Sequence, residues 1–474
     1  MNARNDYYAA DSIHEYMDTE LLVVGGGPAG YSAAIRGAQC GLSATLVDDG
    51  NIGGTCLNTG CIPSKALLSA TKIVAEAERS EDLGIYSEPY VDFAEMVAWK
   101  DEVVERLTSG VEQLCQTNDV TIVDGQAHFI NDHTVRVDDE DIRFDQAIVA
   151  TGSRPIELPG FAYDDAPILD AAQTLSLDHV PPRLLVVGAG YIGMEISTVF
   201  ARLGARVTVI ELLDSVLPQY DTELTNPVRE GAAKLGVDFY FNESASTWMQ
   251  RDESIVVTTE TQNGKSTEHE VDAVLVAVGR IPVTDGLNLE SIGVELSEKG
   301  FVETDREGKT SRDHVFAIGD VAGDPMLAHA GVHEGIVAAE TITDKDPASR
   351  SAIPEVVFTD PEIATVGESP TAVRERGGNP IVGQFPFSAS GRAMTADKTE
   401  GFVRLVGNEE GRIVGGQIVG SDASELIGEV TVAVENGVHL ADLESTAHAH
   451  PTFSEAIMEA AAQAFSKAIH TPNR

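Results

Sequence analysis

Cys56 and Cys61 stand five positions apart in Gly53-Gly54-Thr55-Cys56-Leu57-Asn58-Thr59-Gly60-Cys61-Ile62-Pro63-Ser64-Lys65. Proline's fixed φ and missing N–H suit a first helical turn, so the spacing predicts a helix that can start at Pro63, with Cys61 at its N-terminus. Unpaired N–H groups there favour a reactive thiolate. Residues five apart in an unbroken helix exceed the roughly 7 Å Cα separation that a disulfide tolerates. Pairing therefore needs a bend, and Asn58, Thr59 and Gly60 supply the freedom. A redox-active pair, two inert buried thiols and a structural staple all fit this spacing. Cys40 and Cys115 are the other cysteines, and no second close Cys or His pair has zinc spacing, so no metal site is expected. A staple has little purpose in a chain of 474 residues, which is long enough to bury its own core.

A second candidate lies in His448-Ala449-His450-Pro451-Thr452-Phe453-Ser454-Glu455. Imidazole titrates near neutral pH, so His450 suits a general base oriented by Glu455. Thr452 and Glu455 equally fit an S/T-x-x-E capping box, which needs no function.

The elements that must position these groups begin with a short buried strand, Glu20 to Val24, running into Gly25-Gly26-Gly27-Pro28-Ala29-Gly30. A helical segment to Gly41 follows, then a strand, Ala44 to Val47, ending in Asp48. Glycines allow the turn and a close pyrophosphate approach, and the acid reaches a ribose hydroxyl. The pattern recurs: Leu184 to Val187 leads into Gly188-Ala189-Gly190-Tyr191-Ile192-Gly193, a helix to about Leu203, and a strand, Val207 to Ile210, ending in Glu211. From Gly25 to Asp48 and from Gly188 to Glu211 the interval is 23 positions in each copy. Two such units imply two dinucleotides, and two nucleotide sites around a cysteine pair point to a relay through a flavin. A carboxylate at Glu211 accepts from the free 2′-hydroxyl of NAD and repels the 2′-phosphate of NADP, so NAD is expected; Arg206, before the strand, is assigned to the surface.

Further strands read as Val120 to Phe129, which includes Ala127, then Gln146 to Ser153, Ala273 to Arg280 and Val315 to Asp320. The second and third of these carry glycine at their ends, including Gly279 before Arg280, where backbone and ligand can come close. Asp320 can accept from a flavin's sugar-like chain, although such a residue alone reads as a helix cap or turn. Past about Ile353, Glu355 to Thr359, Phe402 to Val406 and Ile413 to Val419 read as antiparallel strands, with helices after Ala423 and Thr452. A separate α+β domain is expected there.

The formal net charge is −44, from 76 acidic and 32 basic residues spread along the chain. Nucleic acid and anionic membrane need a basic partner and are excluded. The acidity reads as a solubility device of halophilic type, suited to a salt-rich cytoplasm where self-repulsion is screened. No apolar run approaches the roughly 20 residues that span a bilayer. The opening MNARNDYYAADSIHEYMD is polar and acidic, unlike a secretory or transit peptide, and reads as a leader before the first strand.

With these residues assembled, the chain closely resembles the disulfide-reductase flavoproteins, the class I pyridine nucleotide-disulfide oxidoreductases. GGTCLNTGCIPSKALL, GAGYIGME, AVGRIP, AIGDV, MLAHA, FTDPEIA and HAHPTFSE occur in family order across nearly the whole length. The resemblance implies an α/β fold: two Rossmann-like dinucleotide-binding domains, for FAD (1–157) and NAD (158–280), a central domain completing the FAD site (281–352) and a C-terminal α+β interface domain (353–474). It implies a homodimer acting on lipoylated carriers of a 2-oxoacid dehydrogenase complex or glycine cleavage system, by NAD-dependent oxidation of their dihydrolipoyl groups. Carried onto this sequence, Cys61 faces the isoalloxazine and Cys56 exchanges with substrate. His450 of the partner subunit takes the thiol proton, oriented by Glu455, and Lys65 pairs with Glu195. FAD is expected at Gly25, Gly27, Gly30, Asp48, Lys65, Ala127, Asp320 and Ala328, and NAD at Gly188, Gly190, Gly193, Glu211, Gly279 and Arg280. Members usually have Glu followed by Lys where this chain has Asp48-Asp49, so the reach to the FAD ribose and the local charge differ. Another flavin disulfide reductase of the same family is the alternative. A glutathione-type enzyme is disfavoured by Glu211 and Ile62-Pro63-Ser64-Lys65, and a mercuric reductase by the ending His470-Thr471-Pro472-Asn473-Arg474, which lacks terminal cysteines.

Overall fold

The computed structural model describes residues 17–50, 52–163, 167–252, 254–345 and 352–473. Residues 1–16 of the expected leader lie outside them, and its last two residues, Met17 and Asp18, belong to the first strand, which starts at Met17 rather than at the expected Glu20. The chain divides into two compact units, one from Met1–Gly54, Thr108–Arg154 and Ile281–Ala348, the other from Thr55–Leu107, Pro155–Arg280 and Ser349–Arg474.

In the first unit, strands Thr121–Asp124, Ala44–Asp48, Met17–Val24 and Glu140–Val149 lie side by side and parallel, and Val315–Ala317 also pairs parallel with Glu140–Val149. Parallel strands are covered on both faces, which is why they read as unbroken apolar runs; Leu21 to Val24 are all buried. Because the strands run one way, their carboxyl ends share one edge, and the glycine loop, Asp48 and Asp320 follow directly from them. Two antiparallel strands, Thr134–Val137 and Ala127–Asn131, continue the sheet. The expected strand from Val120 to Phe129 is in fact two: Gly125, at φ +140°, breaks it between Asp124 and Ala127. Helices Pro28–Gln39 and Ala328–Ile342 pack so closely that a Cβ on Gly335 would lie 2.6 Å from the Ala29 carbonyl oxygen.

The second unit repeats the design with a parallel sheet ordered Asp238–Phe241, Arg206–Glu211, Arg183–Val187, Ala273–Val276, Ile168–Leu169. Arg206 opens its strand rather than preceding it, and its side chain is exposed. Helix Tyr191–Arg202 is buried from Gly193 to its end because helix Cys61–Arg79 covers the side away from the sheet. Its apolar residues lie on more than one face, and the polar residues enclosed with them are Glu195, Ser197, Thr198 and Arg202. An antiparallel meander, Glu243–Arg251, Ser254–Thr261, Ser266–Val271, precedes the strand Ala273–Val276.

The C-terminal part is the expected antiparallel sheet with helices, in the order Glu355–Val357, Glu362–Gly367, Ile413–Gly420, Phe402–Gly407, Ile381–Pro386. Helix Glu455–Gln463 lies against the last of these strands at Gly383, where a Cβ would stand 1.9 Å from the Ala460 carbonyl oxygen.

Candidate active site

Two left-handed glycines, Gly53 at φ +103° and Gly54 at φ +55°, turn the chain into the short helix Gly54–Asn58, which carries Cys56. The bend falls at Thr59 and Gly60. Gly60 caps the next helix with φ −126° and ψ −100°, and a Cβ there would press on the Thr55 carbonyl oxygen at 3.0 Å. That helix begins at Cys61, two residues before Pro63, so the expected start is corrected and Cys61 takes the first helical position itself. The reason is local: Ser64 N–H bonds back to Gly60 O at 3.0 Å, closing a first turn that contains Pro63 where no intrahelical N–H is needed.

Neither Cys56 nor Cys61 is joined in a disulfide in this structure. The hydrogen bond from Cys56 pulls the Cys61 thiol down, burial pushes it up, the Lys65 ammonium pulls it down and the Glu195 carboxylate pushes it up; the balance lowers it to about 7. Cys61 is therefore substantially thiolate at neutral pH, the state that reacts. One turn along the helix, Lys65 Nζ donates to Glu195 Oε2 at 2.8 Å. Glu195 is 3% exposed, and its other oxygen accepts from the Phe358 N–H at 3.0 Å. A buried carboxylate needs such partners to stay charged.

In the C-terminal part of the chain, Glu455 has two partners. One oxygen meets His450 Nδ1 at 2.9 Å and the other accepts from the Thr452 N–H at 2.8 Å. Burial pushes the Glu455 carboxyl up, but the Thr452 N–H and the His450 imidazole outweigh it and hold it below the usual carboxylate range. The capping-box reading is corrected, because the helix starts at Glu455 with Ser454 as its N-cap, and the Thr452 hydroxyl donates to Ala449 O. The imidazole, fixed at Nδ1, stands 78% exposed.

The two glycine loops superpose in their contacts. Gly25 and Gly188 take φ +107° and +105°; a Cβ on either would meet Ala150 O at 2.3 Å or Ala277 O at 2.4 Å. A Cβ on Gly30 would lie 1.7 Å from Gly25 O, and one on Gly193 2.1 Å from Gly188 O. The middle glycines differ in kind. Gly27 and Gly190 cap their helices without a side-chain cap, and a Cβ there would meet only Gly54 Cα at 4.0 Å in the first loop and nothing within 4 Å in the second. Open space before uncapped helical N–H groups is what a pyrophosphate requires. The strand-end acids match too: Asp48 Oδ2 accepts from Gly26 N and Oδ1 from Gly50 N, while Glu211 Oε2 accepts from Ala189 N and Oε1 from Leu213 N.

Of the remaining expected ligands, Ala127 is buried just past the Gly125 turn, whose N–H bonds Asp48 O at 2.9 Å. Asp320 lies in the turn Gly319–Ala322 and accepts from the Ser153 hydroxyl. Ala328 opens a helix, again without a side-chain cap. In the second unit, Gly279 adopts φ +130° and its carbonyl accepts from Ile156 N at 3.1 Å, directly before Arg280.

The sequence profile described as pyridine nucleotide-disulphide oxidoreductase matches residues 19–335, and that of its dimerisation domain matches residues 353–461. The chain belongs to the pyridine nucleotide-disulphide oxidoreductase family. It is 51% identical over 465 residues to the dihydrolipoyl dehydrogenase of Halobacterium salinarum, covering 96% of this chain and 98% of that one. The dihydrolipoyl dehydrogenase of Geobacillus stearothermophilus is 45% identical over 461 residues, with the same coverage. Among solved structures, LpdA from Mycobacterium tuberculosis aligns with a TM-score of 0.87 at 28% identity, over 93% of this chain and 99% of that chain. The HOCl-induced flavoprotein disulfide reductase RclA from Escherichia coli aligns at 0.84 and 26%, over 94% and 99%.

In this oxidoreductase the residues that sequence reasoning passed over lie in Phe358-Thr359-Asp360-Pro361. Asp360 Oδ2 accepts from Arg202 Nη2 at 2.8 Å and Arg79 Nη2 at 2.9 Å, tying together the helices of Glu195 and Cys61. Burial pushes the Asp360 carboxyl up, but the two guanidinium groups overcome it and hold it at about 2. FTDPEIA was visible only as a family string, because its partners are remote in sequence. Elsewhere, Asp132, His133 and His314 bring three possible ligand atoms within 4.8 Å of one another. The two rings stack at 4.2 Å and 13°, with His133 Nδ1 3.0 Å from Phe144 O and His314 Nε2 2.7 Å from Asp132 O, while Asp132 meets Arg312.

Proposed function

We infer that this chain catalyses the dihydrolipoyl dehydrogenase reaction, the NAD-dependent oxidation of a dihydrolipoyl dithiol to its disulfide, with FAD resident. The observation that carries this reading is the Cys56 and Cys61 pair, hydrogen-bonded across a glycine bend with Cys61 at a helix N-terminus.

Both open glycine loops fit a dinucleotide. FAD is assigned to Gly25, Gly27, Gly30, Asp48, Lys65, Ala127, Asp320 and Ala328, and NAD to Gly188, Gly190, Gly193, Glu211, Gly279 and Arg280. Each Glu211 oxygen keeps a lone pair beyond its backbone bond, so it can still accept from a ribose hydroxyl and still repels a 2′-phosphate. When bound, the flavin supplies two-electron transfer between the cysteine dithiol and NAD.

The protein's own part is thiol exchange. His450 of the partner subunit, oriented by Glu455, takes a proton from one substrate thiol. The resulting thiolate attacks Cys56 of the oxidised pair, and the broken disulfide leaves its electrons on Cys61 as a thiolate. The second substrate sulfur then attacks the first, releasing the oxidised lipoyl ring and the Cys56 thiol. The Lys65 charge and the helix N-terminus stabilise the Cys61 thiolate so formed. The working form in this reading is a homodimer, supported by the dimerisation-domain match, acting in the cytoplasm on lipoylated carriers of a 2-oxoacid dehydrogenase complex or glycine cleavage system.

The net charge of −44 belongs to the same reading as a halophilic-type surface. Unfolding followed against KCl should show marked loss of stability at low salt, and salt-independence would remove that part. The central test is Cys56→Ser. Turnover of dihydrolipoamide with NAD should be abolished while bound-flavin absorbance persists, and substantial remaining turnover would overturn the role given to Cys56.

A further inference from the structure

We propose that Phe358 is a positioning residue for the thiol chemistry of Cys61, acting through Lys65 and Glu195. This rests on the reading above, in which Cys61 is the thiolate of the redox pair.

One residue grips both members of the ion pair. The Phe358 backbone N–H donates to Glu195 Oε1 at 3.0 Å, while its ring faces Lys65 Nζ, 4.8 Å from the centroid. Glu195 Oε2 completes the triangle by accepting from Lys65 at 2.8 Å. An ammonium over an aromatic face is attracted by the ring quadrupole, most strongly where water is scarce. Lys65 has four rotatable torsions and a side chain 30% exposed, so without a second anchor its charge can swing toward solvent.

The position of that charge matters because Lys65 lies four residues after Cys61, on the same helical face. Lys65 favours the thiolate and Glu195 opposes it, so the net field at sulfur depends on where Nζ is held between them.

Phe358 can hold it because its own backbone is pinned. Val357 is 1% exposed in the core and the Thr359 hydroxyl donates to Pro361 O. Asp360 is bonded to Arg202 on the Glu195 helix and to Arg79 on the Cys61 helix. The segment is thus fixed to the two elements whose charges it sets.

The test follows alkylation of Cys61 by iodoacetamide in the reduced, full-length holoprotein, quantified by mass on the Cys61 peptide as pH is varied. Phe358→Met fills similar volume without an aromatic face, and Phe358→Tyr keeps the face. For Phe358→Met the profile should move to higher pH, with the rate at pH 6.5 about two- to fivefold lower, while Phe358→Tyr should overlay the parent. Phe358→Leu replaces Met if that variant does not melt cooperatively. In a Lys65→Gln background the same change at Phe358 should move nothing further. A profile that stays put or moves to lower pH, a Tyr variant displaced as far as Met, or an additive displacement in the Lys65→Gln background would each overturn the proposal. An ordinary thiol profile for Cys61 in the parent protein would instead break the reading on which the proposal rests.

Discussion

In the first dinucleotide loop the strand-end acid is Asp48, and the residue whose N–H it receives is Gly26; in the second they are Glu211 and Ala189. The difference in the acid goes with the difference in its neighbour. A Cβ on Gly26 would lie 3.0 Å from Asp48 Cγ and 2.9 Å from Ile52 Cδ1, so the shorter aspartate stands where a methyl would go. Glutamate, one methylene longer, reaches its amide with the Ala189 methyl present and fully buried. The departure at Asp48 is therefore matched by a glycine within its own loop. Burial differs as well: Glu211 is 9% exposed, whereas Asp48 is only half-buried.

The largest effect should separate packing glycines from ligand glycines. Gly30→Ala places a methyl 1.7 Å from a carbonyl oxygen and should cost more than about 3 kcal/mol of stability, whereas Gly190→Ala, which meets nothing, should cost under about 1 kcal/mol. Calorimetric melting with an NAD titration checks both, since Gly190→Ala should still weaken NAD at least about tenfold by filling the cradle. Equal melting losses would erase the distinction. Next, Glu211→Ala strands two backbone N–H groups in a buried setting and should cost about 2–3 kcal/mol. For Asp48→Ala the expected cost is about 1–2 kcal/mol, because water replaces part of what is lost. Denaturant unfolding that ranks them in reverse order would contradict the burial argument. The smallest effect sharpens the pairing itself: Gly26→Ala should cost about 1 kcal/mol by displacing Asp48 and weaken FAD, and Asp48→Ala in addition should add less than it does alone. Independent, additive losses in melting and FAD affinity would show that Asp48 and Gly26 are not coupled.

The loops were legible because their glycines and strand-end acids lie within 23 residues, although the Ala150 and Ala277 carbonyl oxygens that exclude a Cβ at Gly25 and Gly188 come from remote strand ends. The cysteine pair and the His450 and Glu455 dyad were legible for the same reason. Their two readings could not be separated by spacing, however, and the structure shows Glu455 bonding His450 and the Thr452 amide at once. What stayed hidden falls into two kinds. The meander from Glu243 to Val271 and the strands Glu362–Gly367 and Ile381–Pro386 were passed over because their short alternating runs carry no chemical motif. Phe358 and Asp360 were passed over because a phenylalanine before Asp-Pro looks like any strand end until its partners arrive from 163 and 158 residues away.

Local chemistry was thus written in the chain itself: two glycine loops, an acid at each strand end, and a thiol at a helix start, since steric limits and short hydrogen bonds act over a few residues. How strongly Cys61 holds its proton is another matter. It depends on Cys56 and Lys65 from its own segment but also on burial and on Glu195 from a remote helix, because electrostatic fields follow distance in space, and only folding sets that distance.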